Sequence, residues 1–146
     1  GGRFMKYVLL VSHGNFAPGL HSAINMLAGS DRSDILSTSL QNGMSSDLFE
    51  ENVDKLISNI QKEDEIILLA DIIGGSPLTT TLNVLNKRGF LGNTVVFGGM
   101  NLILVLNSVL MKDEMEITEL KNQLINESRE SIRELVLSNE EDEEDI

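Results

Sequence analysis

Four short apolar segments recur along the chain, and each is followed by a stretch with the periodicity of an amphipathic helix. The apolar segments lie at residues 5–12, 34–38, 65–71 and 94–97, and the helical stretches begin near residues 16, 47, 78 and 102. Strands that alternate with helices typically pair in parallel, because the helix between them supplies the crossover that a parallel connection needs. Continuous apolar strands indicate that both faces of the sheet are covered. The sequence therefore predicts an α/β fold with a mainly parallel, doubly wound sheet between two layers of helices.

The starts of two helices carry capping signals. Asp47 and Glu50 have capping-box spacing at the start of the second helix. Ser76 suits the N-cap of the third helix, and Pro77 suits its first helical position. A last helix is expected from about Met115, and the apolar residues at 132–137 fit either its end or a further strand. The sequence leaves that choice open.

The formal charge of −12 argues against nucleic acid as a partner. Six consecutive acids at residues 140–145 supply half of this charge, and the remainder of the chain is still acidic. Affinity for a phosphate backbone depends on an excess of clustered Lys and Arg, which release counterions on binding. Residues 138–146 are interpreted as an acidic, disordered tail that keeps the protein soluble.

Length and composition predict one domain. A chain of 146 residues with 41% apolar content is long enough to bury a core. The letters GGRF ahead of Met5 look like an expression remnant at residues 1–4, so the domain is expected to span residues 5–137. The absence of cysteine excludes disulfides and a thiol nucleophile and fits a reducing compartment, and we expect the cytoplasm. No apolar run approaches the ~20 residues that cross a bilayer.

Two chemically capable side chains come at the ends of apolar segments. His13 follows the first segment, and Asp71 ends the third. In parallel sheets, ligands bind beyond the carboxyl ends of the strands, where neighbouring strands send their helices to opposite sides. If the first and third strands are neighbours, they lie roughly 4.8 Å apart and the two side chains can meet. The sequence therefore predicts a His13 and Asp71 pair at this edge.

The chemistry that fits this pair is phosphoryl transfer through a nucleophilic imidazole. A carboxylate beside the ring fixes which nitrogen carries the proton and leaves the other lone pair free to attack phosphorus. Gly14 leaves room for another molecule to approach, and Gly74, Gly75 and Ser76 offer N–H groups at a helix N-terminus to the phosphoryl oxygens. Taken alone, this glycine-rich stretch is more often a plain turn from strand to helix.

Cofactor chemistry finds little support in the sequence. The second histidine, His21, falls within the first helix and is assigned no role. A metal site would need a third strong ligand at recognisable spacing. Gly14 and Gly19 have the glycine spacing of a nucleotide-binding loop, but Leu20 stands where the lysine should be. Neither a metal nor a nucleotide is expected.

Three motifs together resemble the enzyme IIA component of bacterial mannose-type (mannose, fructose or sorbose) sugar phosphotransferase systems. They are VSHGNFAPGL after the first strand, DIIGGSP after the third and GGMNL after the fourth. The resemblance covers residues 5 to about 137. It implies a phosphocarrier that accepts a phosphoryl group from the protein HPr and passes it to a IIB component, with membrane permease components acting downstream and no cofactor.

The resemblance also implies roles for individual residues. His13 would carry the phosphoryl group, and Asp71 would match the residue that pairs with the active histidine. Ser76, with the Gly74 and Gly75 backbone, would match the loop that holds the phosphoryl group. Family members are typically homodimers in which a C-terminal strand crosses to the partner's sheet, and residues 132–137 lie where that strand would fall.

Two related functions stay open at this point. One related family passes phosphate to a dihydroxyacetone kinase, although DIIGGSP looks more like the sugar branch. A sensory domain is the other alternative, in which the phosphorylated histidine reports transport activity to a regulator. The transported sugar cannot be read from this chain, because the sugar contacts the membrane components.

Overall fold

A parallel sheet of four strands forms the centre of the computed structural model, which describes residues 4–138. The strands are β1 (Lys6–His13), β2 (Ile35–Leu40), β3 (Glu65–Ala70) and β4 (Thr94–Phe97), in the spatial order β2-β1-β3-β4. The helices are α1 (Phe16–Ala28), α2 (Ser46–Leu56), α3 (Ser76–Lys87), α4 (Leu102–Met111) and α5 (Ile117–Glu130), with a 3-10 turn at Leu91–Asn93. The predicted parallel sheet covered on both faces is confirmed.

The central strands are buried on both faces, which explains their continuous apolar sequences. Successive side chains of a strand point to opposite faces. Leu9 and Val11 pack with α2 and α3, whereas Val8 and Leu10 pack with α1, α4 and α5. Burying each such side chain contributes ~1.5–3 kcal/mol relative to leaving it exposed. The apolar layers therefore fix where β1 ends and where His13 emerges.

The first and third strands are neighbours, which is the condition under which His13 and Asp71 were expected to meet. Register pairs Val11 with Ala70, so His13 and Asp71 follow at the same edge of the sheet. The helices after these strands lie on opposite faces, since Ala17 of α1 and Leu78 of α3 belong to different core clusters. This edge between β1 and β3 is the topological switch point, where α/β sheets bind ligands.

Two predicted helix caps are wrong by one or two residues. The N-cap of α2 is Ser45, whose Oγ accepts the Leu48 N–H at 3.1 Å, so Asp47 lies in the first turn and forms no capping box. The N-cap of α3 is Gly75, because its carbonyl accepts the first helical bond, from Thr79 N–H. Ser76 is therefore the first helical residue and Pro77 the second.

The C-terminal segment is neither the helix nor the strand that the sequence left open. Residues 132–138 have no regular structure in the single chain. Their apolar side chains are exposed, at Ile132, Leu135, Val136 and Leu137. The expected remnant at residues 1–4 and the expected acidic tail at 138–146 lie mostly outside the described residues. Within residues 4–138, no helix is both long and apolar enough to span a membrane.

A buried ion pair joins the start of β2 to the end of α4. The Lys112 side chain is 2% exposed, and its Nζ lies 2.8 Å from Asp34 Oδ2 and 2.8 Å from Asp113 Oδ2. Arg32 also pairs with Asp34 at 2.8 Å. Burial would raise the pKa of Asp34, but the bonds from Arg32 and Lys112 outweigh it and lower the pKa to about 2. This network lies at the end of the sheet opposite His13.

Candidate functional site

His13 and Asp71 form a hydrogen-bonded pair at the carboxyl end of the sheet. His13 is the last residue of β1, and Asp71 directly follows β3. The ring Nδ1 of His13 lies 2.8 Å from Asp71 Oδ2. The same oxygen accepts the main-chain N–H of His13 at 2.9 Å. The predicted meeting of these two side chains is confirmed.

The geometry assigns the tautomer of the ring. A carboxylate accepts a hydrogen bond, so in the neutral ring of His13 the proton is on Nδ1 and the lone pair is on Nε2. The His13 side chain is 48% exposed and that of Asp71 is 16% exposed, so the imidazole faces solvent with the carboxylate behind it. This arrangement presents Nε2 of a fixed ring to solvent, where another molecule can reach it.

The Asp71 carboxylate is held in its ionised form. Its burial would raise the pKa, but bonds from the His13 N–H, the His13 ring and the Ile72 N–H outweigh burial and lower the pKa below its usual value. The Ile72 N–H donates to Oδ1 at 2.9 Å, so the two oxygens have separate donors. The carboxylate is therefore fixed in orientation as well as in charge.

The Ser12 side chain links the main chain of His13 to the start of α1, and the sequence did not identify it as part of the site. Its side chain is fully buried, and its Oγ accepts the Ala17 N–H of α1 at 2.7 Å. The same hydroxyl donates to the His13 carbonyl at 3.1 Å. Asn15, the N-cap residue of α1, makes no side-chain capping bond, so Ser12 takes over part of that task. A serine after an apolar run gave no signal of this.

The glycine-rich turn after Asp71 lies against the imidazole. A Cβ added to Gly75 would lie 2.9 Å from His13 Cε1 and 3.3 Å from the Ile72 side chain, so only glycine fits there without a shift. Gly74 has a φ of 91°, in the left-handed region that favours glycine. Ser76 is exposed at the first position of α3. No side-chain bond ties it to His13.

Gly14 occupies a different position from the other glycines. Its N–H donates to Leu40 O at 2.9 Å, and its carbonyl accepts from Gln41 Nε2 at 3.1 Å. Its φ of 56° is left-handed. Gly14 therefore connects the end of β1 to the end of β2 and leaves open space beside His13.

The turn after β4 is hydrogen-bonded to the segment that carries Asp71. Gly99 N–H donates to Asp71 O at 3.1 Å, and Met100 N–H donates to Ala70 O at 3.0 Å. Ile73 packs directly on Gly98, so that a Cβ at Gly98 would overlap the Ile73 side chain. The GGMNL motif gave the only sequence signal for this turn, and the sequence assigned it no role at the site.

The second histidine lies apart from this constellation. His21 Nδ1 contacts Ser37 Oγ at 2.7 Å, and partial burial lowers its pKa. Among residues 4–138, no cluster of three His, Asp or Glu side chains is arranged to hold a metal ion. The site is therefore built around one imidazole and one carboxylate.

Comparison with known proteins places the chain in a family. Residues 7–144 match the family model described as the fructose IIA component of the PTS system, the sugar phosphotransferase system. The chain belongs to this family. The resemblance drawn from the three motifs is thereby confirmed.

The chain is similar to individual relatives over most of their length. The PTS system fructose-specific EIIA component of Bacillus subtilis (strain 168) is 22% identical over 129 residues, 88% of this chain and 86% of the relative. The crystal structure of phosphotransferase system component EIIA from Streptococcus agalactiae is 26% identical with a TM-score of 0.74, covering 89% of this chain and 97% of that one. The mannose/sorbose specific IIA subunit from Enterococcus faecalis, at 18% identity and a TM-score of 0.76 over 93% and 98%, shares the fold.

Proposed function

We propose that this IIA component is a cytoplasmic phosphocarrier that accepts a phosphoryl group from phospho-HPr on His13 and passes it to a IIB component, coupled to sugar uptake. The observation that carries the proposal is the 2.8 Å contact between His13 Nδ1 and Asp71 Oδ2. This contact leaves Nε2 of an exposed ring as the free nucleophile. Membership of the PTS fructose IIA family supports the choice of donor and acceptor.

The proposed transfer has two symmetric half-reactions. The Nε2 lone pair of His13 attacks the phosphorus of the phosphohistidine on HPr. The N–P bond to the donor breaks, its electron pair stays on the donor nitrogen, and a new N–P bond forms at His13. Nδ1 keeps its proton and donates to Asp71 throughout, so the carboxylate balances the positive charge of the phosphorylated ring. Such transfers depend mainly on alignment and charge neutralisation. The IIB component then removes the group in the same way.

The phosphoryl oxygens need their own donors, and α3 begins beside the ring. The first N–H groups of a helix have no partner within the helix and attract anions. We assign this role to the main chain of Gly74, Gly75 and Ser76 and to the Ser76 hydroxyl. Pro77 has no N–H to contribute. Gly14 would contribute the open space beside the ring, because its own N–H already donates to Leu40.

The surface around His13 suits a protein partner that carries a phosphoryl group. Phe16, Ile72 and Ile73 present exposed apolar side chains at this edge. The segments 14–20, 41–46, 72–80 and 98–103, which follow the carboxyl ends of the four strands, contain no charged residue. The overall charge of −12 repels a phosphoryl group. Because these four segments carry no charge, that repulsion is lower at the place where the group must arrive. The apolar side chains offer contact area.

A homodimer with exchanged C-terminal segments belongs to the same proposal. β4 is at the edge of the sheet, where main-chain groups are open to pairing. A groove of about 390 Å³ beside it is lined by residues that include Phe97, Leu104 and Ile125. The buried Oγ of Ser128, which also lines this groove, has no hydrogen-bond partner. The exposed apolar side chains at 132–137 would be buried if they entered the groove of a second copy.

The test is reconstitution of the phosphoryl relay. The protein is incubated with phosphoenolpyruvate, enzyme I and HPr, and any acid-labile phosphoryl group is mapped by mass spectrometry. We expect one group per chain, on His13. The His13→Ala variant should take up none, and the His21→Ala variant should be phosphorylated like the unchanged protein, since His21 lies outside the site.

The second stage separates the carrier from its alternatives. When a purified cognate IIB component is added, the carrier loses its phosphoryl group and IIB gains it. A group that stays on His13 would favour the sensory role. Transfer to a dihydroxyacetone kinase, and none to IIB, would favour the related branch. Absence of any phosphorylation by phospho-HPr would contradict the proposal.

A further inference from the structure

The two adjacent glycines after β4 are required for different reasons. Gly99 has a φ of 70°, which disfavours any residue with a side chain. Gly98 has no such φ, so its backbone conformation is open to other residues. What requires glycine at position 98 is space. A Cβ there would overlap Ile73 Cγ1 and would lie 3.0 Å from Ile73 Cδ1 and 3.2 Å from Ile73 N.

We infer that Gly98 is a positioning residue for His13, acting through Ile73, Ile72 and Asp71. This inference rests on the proposed function. Ile73 lies against the bare Cα of Gly98. The preceding residue, Ile72, donates its N–H to Asp71 Oδ1 at 2.9 Å. The other oxygen of Asp71 receives the ring and main chain of His13. A displacement that reaches the main chain of Ile73 therefore shifts the neighbouring Ile72 N–H, which orients the carboxylate.

The surrounding bonds leave this segment little room to adjust. Asp71 is held on its carbonyl side by Gly99 N–H at 3.1 Å, and Ala70 is held by Met100 N–H at 3.0 Å. Gly98 directly precedes these donors, so a residue that pushes Ile73 away also strains the turn that grips Asp71. Isoleucine is β-branched and stiff at χ1, which restricts escape by side-chain rotation.

The experiment compares three variants with the unchanged protein. Gly98→Ala adds the methyl group, Gly98→Ala with Ile73→Ala adds it but removes Cγ1 and Cδ1 of Ile73, and Ile73→Ala serves as the reference for the double variant. Gly92→Ala is the matched control, because a Cβ at Gly92 has no heavy atom within 4 Å and its φ is not left-handed. Gly92 precedes β4, at the opposite end of that strand from Gly98.

Two measurements are made on each variant. The first is the pair of ring ¹⁵N chemical shifts of His13 in the unphosphorylated protein, which report how far the proton is confined to Nδ1. The second is the initial rate of phosphorylation by phospho-HPr. We expect Gly98→Ala to shift the ring signals toward a mixture of tautomers and to slow phosphorylation by about tenfold or more, as loss of an orienting partner does. Gly92→Ala should change neither.

Rescue distinguishes positioning from general damage to the fold. The double variant should regain the ring signals and the rate of Ile73→Ala. Wild-type ring signals and rate in Gly98→Ala would overturn the inference, because Ile73 would then have absorbed the methyl group. If Gly98→Ala does not fold, the double variant decides: a folded double variant with Nδ1 protonated supports the inference. One that is unfolded, or has disturbed ring signals, overturns it.

The ring signals also keep this inference separate from the proposed function. If the unchanged protein is not phosphorylated by phospho-HPr, the phosphocarrier proposal fails. The tautomer of His13 in Gly98→Ala and in the double variant still reports whether Gly98 orients the ring through Ile73.

Discussion

One carboxylate oxygen orients both the backbone and the ring of the same histidine: Asp71 Oδ2 accepts the His13 N–H at 2.9 Å and lies 2.8 Å from the His13 Nδ1. The main-chain bond holds the carboxylate against the end of β1, and the ring bond sets the tautomer. Both depend on the parallel register of β1 and β3, which pairs Val11 with Ala70. The imidazole is therefore oriented by the sheet itself.

The first prediction concerns Asp71. His13→Ala should abolish phosphorylation, whereas Asp71→Ala should slow it by about 10- to 100-fold, because the ring stays present but loses its orienting partner. Asp71→Asn should also be slow, since its amide group would face either the His13 donors or the Ile72 N–H. Initial rates with phospho-HPr give the comparison. An Asp71→Ala variant with the unchanged rate would show that the pairing has no role in transfer.

The second prediction concerns Ser12. Ser12→Ala leaves the buried Ala17 N–H without its acceptor, which should lower the free energy of unfolding by about 1–3 kcal/mol. It should also slow phosphorylation several-fold, because α1 then starts less firmly beside His13. Ser45→Ala is the matched control: it removes the N-cap of α2 at a cost of about 1 kcal/mol and should leave the rate unchanged. Urea unfolding and the relay assay measure the two effects. Equal rates in both variants would contradict the supporting role of Ser12.

The third prediction concerns the ion pair at the opposite end of the sheet. Asp34→Asn leaves Asp113 as the one carboxylate paired with the buried Lys112 among residues 4–138, so the free energy of unfolding at pH 7 should fall by about 3 kcal/mol. Asp113 is 65% exposed, and Asp113→Asn should cost under about 1 kcal/mol. Phosphorylation should be unaffected in both variants.

The cost of Asp34→Asn should depend on pH in a definite direction. The pKa of Asp34 in the folded protein is about 2, below its unfolded value. A depressed pKa means that the ionised carboxylate stabilises the fold fully above about pH 4 and loses this effect as the pH falls through the folded pKa. The difference between Asp34→Asn and the unchanged protein should therefore shrink below about pH 4. A difference that stays constant from pH 7 to pH 3 would contradict the assignment.

Much of the fold follows from patterns that operate locally. The apolar runs at β1 and β3 and the helical spacing of α1 reflect burial on two faces, so the parallel sheet and the edge that carries His13 were predictable. The meeting of His13 with Asp71 was also predictable, because the switch-point rule identifies the strand ends at which the side chains of a site gather.

Other parts of the site depend on contacts between distant residues, which a single sequence does not reveal. Ser12 matters because its hydroxyl reaches Ala17 across a turn. Gly98 matters because Ile73, 25 positions earlier in the sequence, happens to lie against it. The N-cap of α3 moved from Ser76 to Gly75 because backbone conformation decided it and not side-chain preference. Such details require the coordinates.

The last prediction concerns the exposed apolar residues at the C-terminal end of the described chain. Replacing Leu135, Val136 and Leu137 together by serine removes apolar groups from both faces of the segment, whichever face enters a partner. Burial of each side chain is worth ~1.5–3 kcal/mol, and a symmetric dimer gains the sum twice. We expect the unchanged protein to be a dimer and the triple variant a monomer in analytical ultracentrifugation at micromolar concentration. Met26→Ser, which alters an exposed methionine of α1, should stay dimeric. A monomeric unchanged protein, or a dimeric triple variant, would rule out exchange of this segment. If the triple variant is monomeric and is still phosphorylated on His13, one chain holds the complete site.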